Sequence, residues 1–283
     1  MSESDSRLRI AVLVSGSGTN LQALIDRARD GRLAAEIVVV ASDRPGIRGL
    51  ARAEAAGIPA RVVDYRAFLK QDWTALERKL PVDVDAVDRA QNILHHEDRE
   101  ERLKRLVRLM SAEAEMIAAI EAYRPDYVCL AGFMRLVTPF FLHHFNRAGK
   151  LRVINIHPAL LPAFPGQHGY EDTFSYGCRW GGITIHFVDE GEDSGPIIAQ
   201  AVYPILPEDD VEKVRQRGLQ LEYEMYAQVI NWLAAGRVEL VPAAGGRART
   251  VIRDPEYPRI MESWVRKTLD AGPQDCRSSD PSA

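Results

Sequence analysis

"LRIAVLVSGSGTNLQALIDRARDG", Leu8 to Gly31, decides the fold. Its first part, Leu8 to Val14, is an apolar β-branched run of the length of one strand. "SGSGTN" interrupts it, because Gly16 and Gly18 favour a tight turn. Leu21, Leu24, Ile25 and Ala28 then recur at helical spacing, and Gly31 supplies a stop. The pattern repeats. "EIVVVAS" reads as a second strand, "GIRGLARAEAAGIP" as a helix closed by Gly57 and Pro59, and "ARVVDY" as a third strand. Strands alternating with helices predict an α/β fold whose parallel sheet is covered by helices on both faces.

Further along, "DYVCLAG" (Asp126 to Gly132), "LRVINIH", "ITIHFV" (Ile183 to Val188) and "IIAQAVYPI" read as four more strands. "DDVEKVRQRGLQLEYEMYAQVINWLAAG" reads as a long amphipathic helix ending at Gly236. The stretch from Phe68 to about Tyr123 is mostly helical in pattern, with Leu103, Leu106, Val107, Met110, Ala114 and Ile117 on one face. Within it, "LPVDVDAVDRAQNILHHEDREE" is acidic and mixed, the mark of an inserted excursion with a solvated face. The predicted organisation is one domain over residues 1–241, with a helical insertion at about 81–110, followed by a C-terminal extension over 242–283. The extension is expected to hold a short helix around Met261 to Leu269 and a disordered last dozen residues.

Bulk properties narrow the function. With 36 basic and 40 acidic residues the net charge is −4, which argues against wholesale nucleic-acid binding but leaves room for a local anion site. No apolar run approaches the roughly 20 residues that cross a bilayer. The start, "MSESDSRLRI", lacks the basic and apolar regions of a signal peptide. Cys129, Cys178 and Cys276 are odd in number and far apart, unlike a disulfide framework or a zinc cluster. A reduced, cytoplasmic protein is expected, with no membrane partner.

Three stretches carry chemistry. Gly16 and Gly18 sit between a strand and a helix start, where backbone N–H groups face outward and favour an anion. Leu21 stands where a dinucleotide fingerprint has its third glycine, and no P-loop lysine is present, so a monophosphate suits the loop best. A glycine-rich turn with Thr19 or Asn20 as a helix cap is the plain structural alternative. In "NIHPALLPAFPG", Asn155 and His157 end a strand two residues apart and share a face. At the carboxyl end of a parallel strand they project into the crevice where α/β sheets bind ligands. An amide and an imidazole there can donate to a carbonyl oxygen that is becoming an oxyanion. Pro158, Pro162 and Pro165 stiffen the exit. "HFVDEGEDSGPIIAQ" adds Asp193 in a loop between two strands. If Asp193 faces His157, it favours the imidazolium and raises the His pKa. No Ser or Cys nucleophile accompanies the trio, so the substrate's own nucleophile attacks directly. The doublets His95–His96 and His143–His144 read as surface residues, and no metal is expected.

Four motifs, "VLVSGSGTNLQALID", "LAGFMRLVTPFFL", "VINIHPALLPAFPG" and "ITIHFVDEGEDSGPIIAQ", occur in an order that resembles the glycinamide ribonucleotide transformylase family of folate-dependent formyltransferases. The likeness spans about Arg9 to Val241. It implies a Rossmann-like formyltransferase fold, and transfer of a formyl group from 10-formyltetrahydrofolate to the amine of glycinamide ribonucleotide in purine synthesis. It also implies small-molecule partners only, with a homodimer as a candidate assembly. Carried over by motif, Asn155, His157 and Asp193 are the catalytic trio, with His186 in support. Gly18, Thr19 and Asn20 hold the phosphate and Glu222 the ribose. Met134, Arg135 and Val137 line the pterin pocket, and Val188, Asp189, Glu190, Gly191 and Glu192 form the folate loop.

The chain departs from the family on the acceptor side. "FLKQDW" stands where an Arg-bearing triplet is usual, so Lys70 is the candidate phosphate cation. Tyr223 replaces a His after Glu222, and "GQHGYEDTF" replaces a segment bearing a Gln-Ala pair. The competing readings are a formyltetrahydrofolate hydrolase, a formyltransferase for another amine, and a non-catalytic folate-binding regulator. The hydrolase family usually has an N-terminal regulatory domain, and few residues precede Leu8 here. The methionyl-tRNA formyltransferases add an RNA-binding C-terminal barrel and a basic face, which the tail and net charge do not suggest.

Overall fold

The structure is a computed structural model that describes residues 7–147, 149–242 and 248–270. The expected tail disorder falls on residues outside that range. The apolar run at the start of the chain forms β1 (Leu8–Val14), and the glycine turn leads into α1 (Thr19–Arg29). Next come β2 (Ala35–Ser42), α2 (Arg48–Ala55) and β3 (Ala60–Val62). A 3₁₀ turn at Tyr65–Phe68 opens the helical stretch of α3 (Trp73–Glu77), α4 (Val84–Ala90) and α5 (Arg99–Glu121). The chain then re-enters the sheet as β4 (Tyr127–Leu130), passes through α6 (Pro139–Phe145), and forms β5 (Val153–His157). After α7 (Gly169–Ser175), β6 (Trp180–Phe187) and β7 (Ile197–Pro204) complete the sheet. The long helix α8 (Val211–Ala234), a hairpin of β8 (Val238–Val241) and β9 (Arg249–Ile252), and α9 (Tyr257–Asp270) close the fold.

The main sheet has seven strands in the order β3-β2-β1-β4-β5-β6-β7. The first five are parallel, and β6 and β7 run antiparallel at one side. Alternate residues of β1 serve opposite faces, as strand geometry requires. Ile10, Val12 and Val14 join one core with Leu21 and Leu24 of α1 and Met225 and Trp232 of α8. Ala11 and Leu13 join a second core with Leu106, Met110 and Met116 of α5 and Phe141 of α6.

This topology creates the site. From β1 the chain moves to β2 on one side, while β4 lies on the other, so the connections diverge at the carboxyl ends of β1 and β4. Such a switch point leaves a crevice that no crossover fills. The turn after β1, the loop after β4 and the end of β5 all open into it. The loop between β6 and β7 folds back over β5, with Asn155 paired across from His186 and His157 across from Thr184.

Candidate active site

A cleft of about 400 Å³ occupies this crevice, and Gly16, Gly18, Asn155, His157, Asp193 and Glu222 are among its walls. The glycine turn forms one end. Gly18 is the N-cap of α1, with φ +69°, and no side chain caps the helix. Neither Thr19 nor Asn20 therefore acts as the cap. The first intrahelical bond runs from Gln22 N to Gly18 O at 2.9 Å, so the amides of Thr19 and Asn20 lie ahead of the ladder, at the positive end of the helix. A side chain at Gly18 is ruled out twice, by its φ and because a Cβ would lie 2.7 Å from Gly49 Cα of α2. Arg52 of α2 braces the turn from behind, donating to Ser17 O at 2.9 Å and to the Gln22 side chain at 2.8 Å.

The Asn20 side chain donates to Glu222, which also accepts from the Tyr170 hydroxyl. Burial raises the Glu222 carboxyl above its ordinary value, against the pull of these two hydrogen bonds. Arg215 pairs with Glu171 and stacks 5.4 Å over the Tyr170 ring. Arg215, Tyr170, Glu222 and Asn20 thus link α8 and α7 to the glycine turn. Lys70 is exposed and is not a wall of the cleft. Arg66, the arginine that follows β3 most closely, pairs with Asp64 and is also outside it. Arg215 and Arg135 are the arginines that line the cleft among the described residues.

Asp193 stands at the centre of a cluster of polar groups. Its Oδ2 lies 3.3 Å from His157 Nδ1 and accepts from Gly166 N at 2.8 Å. Its Oδ1 lies 3.5 Å from Asn155 Nδ2 and 3.6 Å from His186 Nε2. The other nitrogen of His157, Nε2, is 2.8 Å from the Phe164 carbonyl, which can only accept, so Nε2 carries a proton. The same logic puts the His186 proton on Nδ1, 2.8 Å from the Phe187 carbonyl, leaving its Nε2 to accept from Asn155 at 3.3 Å. Three non-glycine residues have positive φ among those described, and two of them, Phe164 and Asp193, meet on His157. Strained backbone held by its surroundings is typical of a functional site.

The charge on His157 differs from the expectation drawn from an adjacent carboxylate. Burial, the largest influence, holds the imidazole below its ordinary 6.5, and the opposing pull of Asp193 and the Phe164 carbonyl does not overcome it. His157 is only 2% exposed, so the desolvation cost of a cation is high. Burial also works to raise the Asp193 carboxyl. His186, the charge of His157 and the Gly166 amide outweigh that, and the group titrates below the ordinary 3.8. Both ring nitrogens of His157 thus face acceptors, the Phe164 carbonyl at Nε2 and Asp193 at Nδ1, while burial works against the cation, so the pair is placed to exchange a proton.

Met134, Arg135 and Val137 line the cleft on the β4 side. The Met134 amide donates to Ser15 Oγ at 2.8 Å, and the Arg135 guanidinium is held by the buried Asp43 at 2.7 Å. Of the loop after β6, Val188, Gly191 and Glu192 reach the cleft. Asp189 instead staples the loop, accepting from Ser194 Oγ at 2.6 Å and from Gly191 N at 3.2 Å. Glu190 faces outward, 3.2 Å from His143 of α6. Ile93, Tyr170 and Arg215 also line the cleft, and no motif of the sequence signalled them. Among the described residues no group of three or more His, Cys, Asp or Glu side chains is placed to hold a metal ion, and no helix is long and apolar enough to cross a membrane.

Residues 8–230, which contain every group of the cleft described so far, match the family model described as formyl transferase. The chain belongs to the formyl transferase family. A phosphoribosylglycinamide formyltransferase of Haemophilus influenzae is 35% identical over 232 residues, covering 82% of this chain and 90% of that protein. The trifunctional purine biosynthetic protein adenosine-3 of Drosophila melanogaster is 36% identical over 241 residues, which are 84% of this chain and 15% of that longer protein. Among solved structures, glycinamide ribonucleotide transformylase 1 from Symbiobacterium toebii superposes with a TM-score of 0.68 at 36% identity, covering 89% of this chain and 96% of that one. The formyl transferase match ends within α8, so β8, β9 and α9 lie beyond it.

Proposed function

We propose that this formyl transferase moves the formyl group of 10-formyltetrahydrofolate to the amine of glycinamide ribonucleotide, a step of purine synthesis. The observation that carries the reading is one continuous cleft with an anion-ready helix start at one end and the Asn155–His157–Asp193 trio within it. A ribonucleotide phosphate suits the amides of Gly18, Thr19 and Asn20, with Glu222 placed for ribose hydroxyls. Met134, Arg135 and Val137 together with Val188, Gly191 and Glu192 suit the pterin ring. Two of the relatives reported above, the phosphoribosylglycinamide formyltransferase and the glycinamide ribonucleotide transformylase, are named for this chemistry. Small molecules are the partners of this reading, the cytoplasm its setting and a homodimer its candidate assembly.

The trio does the chemistry in the following way. The amine nitrogen attacks the formyl carbon, a C–N bond forms, and the carbonyl π electrons move to oxygen. Asn155 Nδ2 donates to that oxyanion. The nitrogen sheds a proton to the Asp193–His157 pair, directly or through one water, and His157 becomes a cation only as the oxyanion forms. The buried positive charge is then matched by the carboxylate and by the new negative charge, so the burial that disfavours it at rest is offset. On collapse the bond from carbon to the folate nitrogen breaks, and the proton passes to that nitrogen. The pair ends as it began.

A turnover assay with 10-formyltetrahydrofolate and glycinamide ribonucleotide, run beside water alone and other amines, tests the reading. Formylated ribonucleotide as the main product is the expected result. Formate released without an amine, or a preference for another amine, overturns it.

A further inference from the structure

The insertion between β3 and β4 reaches the active site. After α4, the residues Gln91–Leu94 are bracketed by side chains. Gln91 Oε1 accepts from the amides of Ile93 and Leu94 at 2.9 and 2.7 Å, and its Nε2 donates to Leu94 O at 3.2 Å. Arg102 of α5 grips Asp88 of α4 with two bonds of 2.8 and 2.9 Å and donates to His96 O at 2.9 Å. The bracket presents Asn92 to the loop after β6. Asn92 N donates to Glu190 O at 2.9 Å and pairs in a parallel bridge with Gly191. The next residue, Ile93, is 7% exposed, belongs to neither hydrophobic core, and lines the cleft beside Val137, Val188 and Gly191.

Protein covers most of Ile93, and the small part left open faces the cleft, where a ligand with an apolar face would complete its burial. We propose that Ile93 is a specificity-determining contact for the flat ring system of the folate donor, and that the Asn92–Glu190 pairing holds the loop of residues 188–193 in register over that ring. The inserted segment is thereby a wall of the donor site, and Gln91 is a positioning residue that acts through Ile93. The inference rests on the formyl-transfer reading, and it assigns to the insertion a task on the donor side.

The test measures three things on the full chain: the KM for each substrate, the affinity for tetrahydrofolate by titration calorimetry, and the melting temperature. In Ile93→Ala, the donor KM and the tetrahydrofolate Kd should rise about tenfold, as for loss of most of one apolar contact. The ribonucleotide KM and kcat should stay near wild type, while the melting temperature falls, as for truncation of any buried isoleucine. Ile93→Val should recover most of the loss. Gln91→Ala, which touches no ligand, should weaken tetrahydrofolate in the same direction and serves also if Ile93→Ala folds poorly. If Ile93→Ala and Gln91→Ala both bind tetrahydrofolate as wild type does, or if the ribonucleotide KM rises instead, the inference is overturned and formyl transfer stands. If the unaltered protein neither binds tetrahydrofolate nor transfers formyl, both fall together.

Discussion

Asp193 shows how a single residue can organise the proposed reaction. Its backbone sits at φ +49°, a conformation that Asp tolerates better than most residues. That twist turns one carboxylate oxygen to His157 and the other toward Asn155. Asp193→Asn keeps the shape and removes the proton acceptor, so turnover should fall by about 10²- to 10⁴-fold, the span of general acid–base catalysis. The melting temperature should change little, because the residue lies in a loop. An Asp193→Asn protein of full activity would remove the carboxylate from the mechanism. The pH profile follows from His157. Its imidazole titrates below 6.5, and the pair must be free to take a proton, so kcat/KM should be flat above 6.5 and fall only on the acid side of that value. An acid limb centred above 6.5 would mean a preformed imidazolium. Asn155→Ala removes one oxyanion donor. It should cost about 10²- to 10³-fold in turnover with tetrahydrofolate affinity nearly unchanged, and equal losses in both would make Asn155 a binding residue.

At the scale of elements, the proposed phosphate end depends on two helices meeting at glycine. A Cβ at Gly18 of the turn would lie 2.7 Å from Gly49 Cα of α2, and one at Gly49 would press Val14 at 3.1 Å and Gly16 O at 3.2 Å. Gly18→Ala forces a left-handed alanine and pushes α2 away, at a cost of about 1–2 kcal/mol for the conformation alone. The expected outcome is a lower melting temperature and a ribonucleotide KM raised about tenfold or more, with donor affinity kept. An unchanged KM would show that the phosphate sits elsewhere. The cation of this end is a second question for the same assay. Lys70 is exposed and off the cleft, whereas Arg215 lines it. Lys70→Ala should therefore leave the ribonucleotide KM alone. Arg215→Ala should raise it about tenfold, the scale of one charge-assisted hydrogen bond. The reverse ranking would restore Lys70.

At the scale of the whole molecule, some acids are buried away from the proposed chemistry, and Glu113 is one of them. Glu113 of α5 accepts from Thr138 N at 2.7 Å and from the Thr138 hydroxyl, just before α6. Burial pushes its carboxyl up to about 8, against both Thr138 bonds. The folded state holds this proton more tightly than the unfolded chain, where the group titrates near 4.5. Stability from this site is therefore full below about 4.5 and is lost as pH rises toward 8. Glu113→Gln keeps the shape, accepts from the amide, donates to the hydroxyl and does not titrate. Its denaturation midpoint should match wild type at acid pH and exceed it at alkaline pH, and parallel curves across pH would show that Glu113 is ionised in the fold. None of this is visible in "RLMSAEAEMIAAIE", where Glu113 reads as one more polar position of a helix. The sequence by itself determined the strands, because β-branched runs such as "IAVLV" and "VINIH" have few other ways to bury themselves, and it determined the glycine turn and the pairing of Asn155 with His157 on one face, because both follow from local geometry. Contacts distant in sequence were decided only by the tertiary structure. Asp193 meets His157 across 36 residues because the β6–β7 loop folds back over β5, and Ile93 joins the cleft because Arg102 holds its segment against Glu190. The downward pull of burial on the His157 pKa was likewise a matter of the packed molecule. A neighbouring carboxylate can be guessed from a motif, but the depth of burial that outweighs it is a property of the packed molecule.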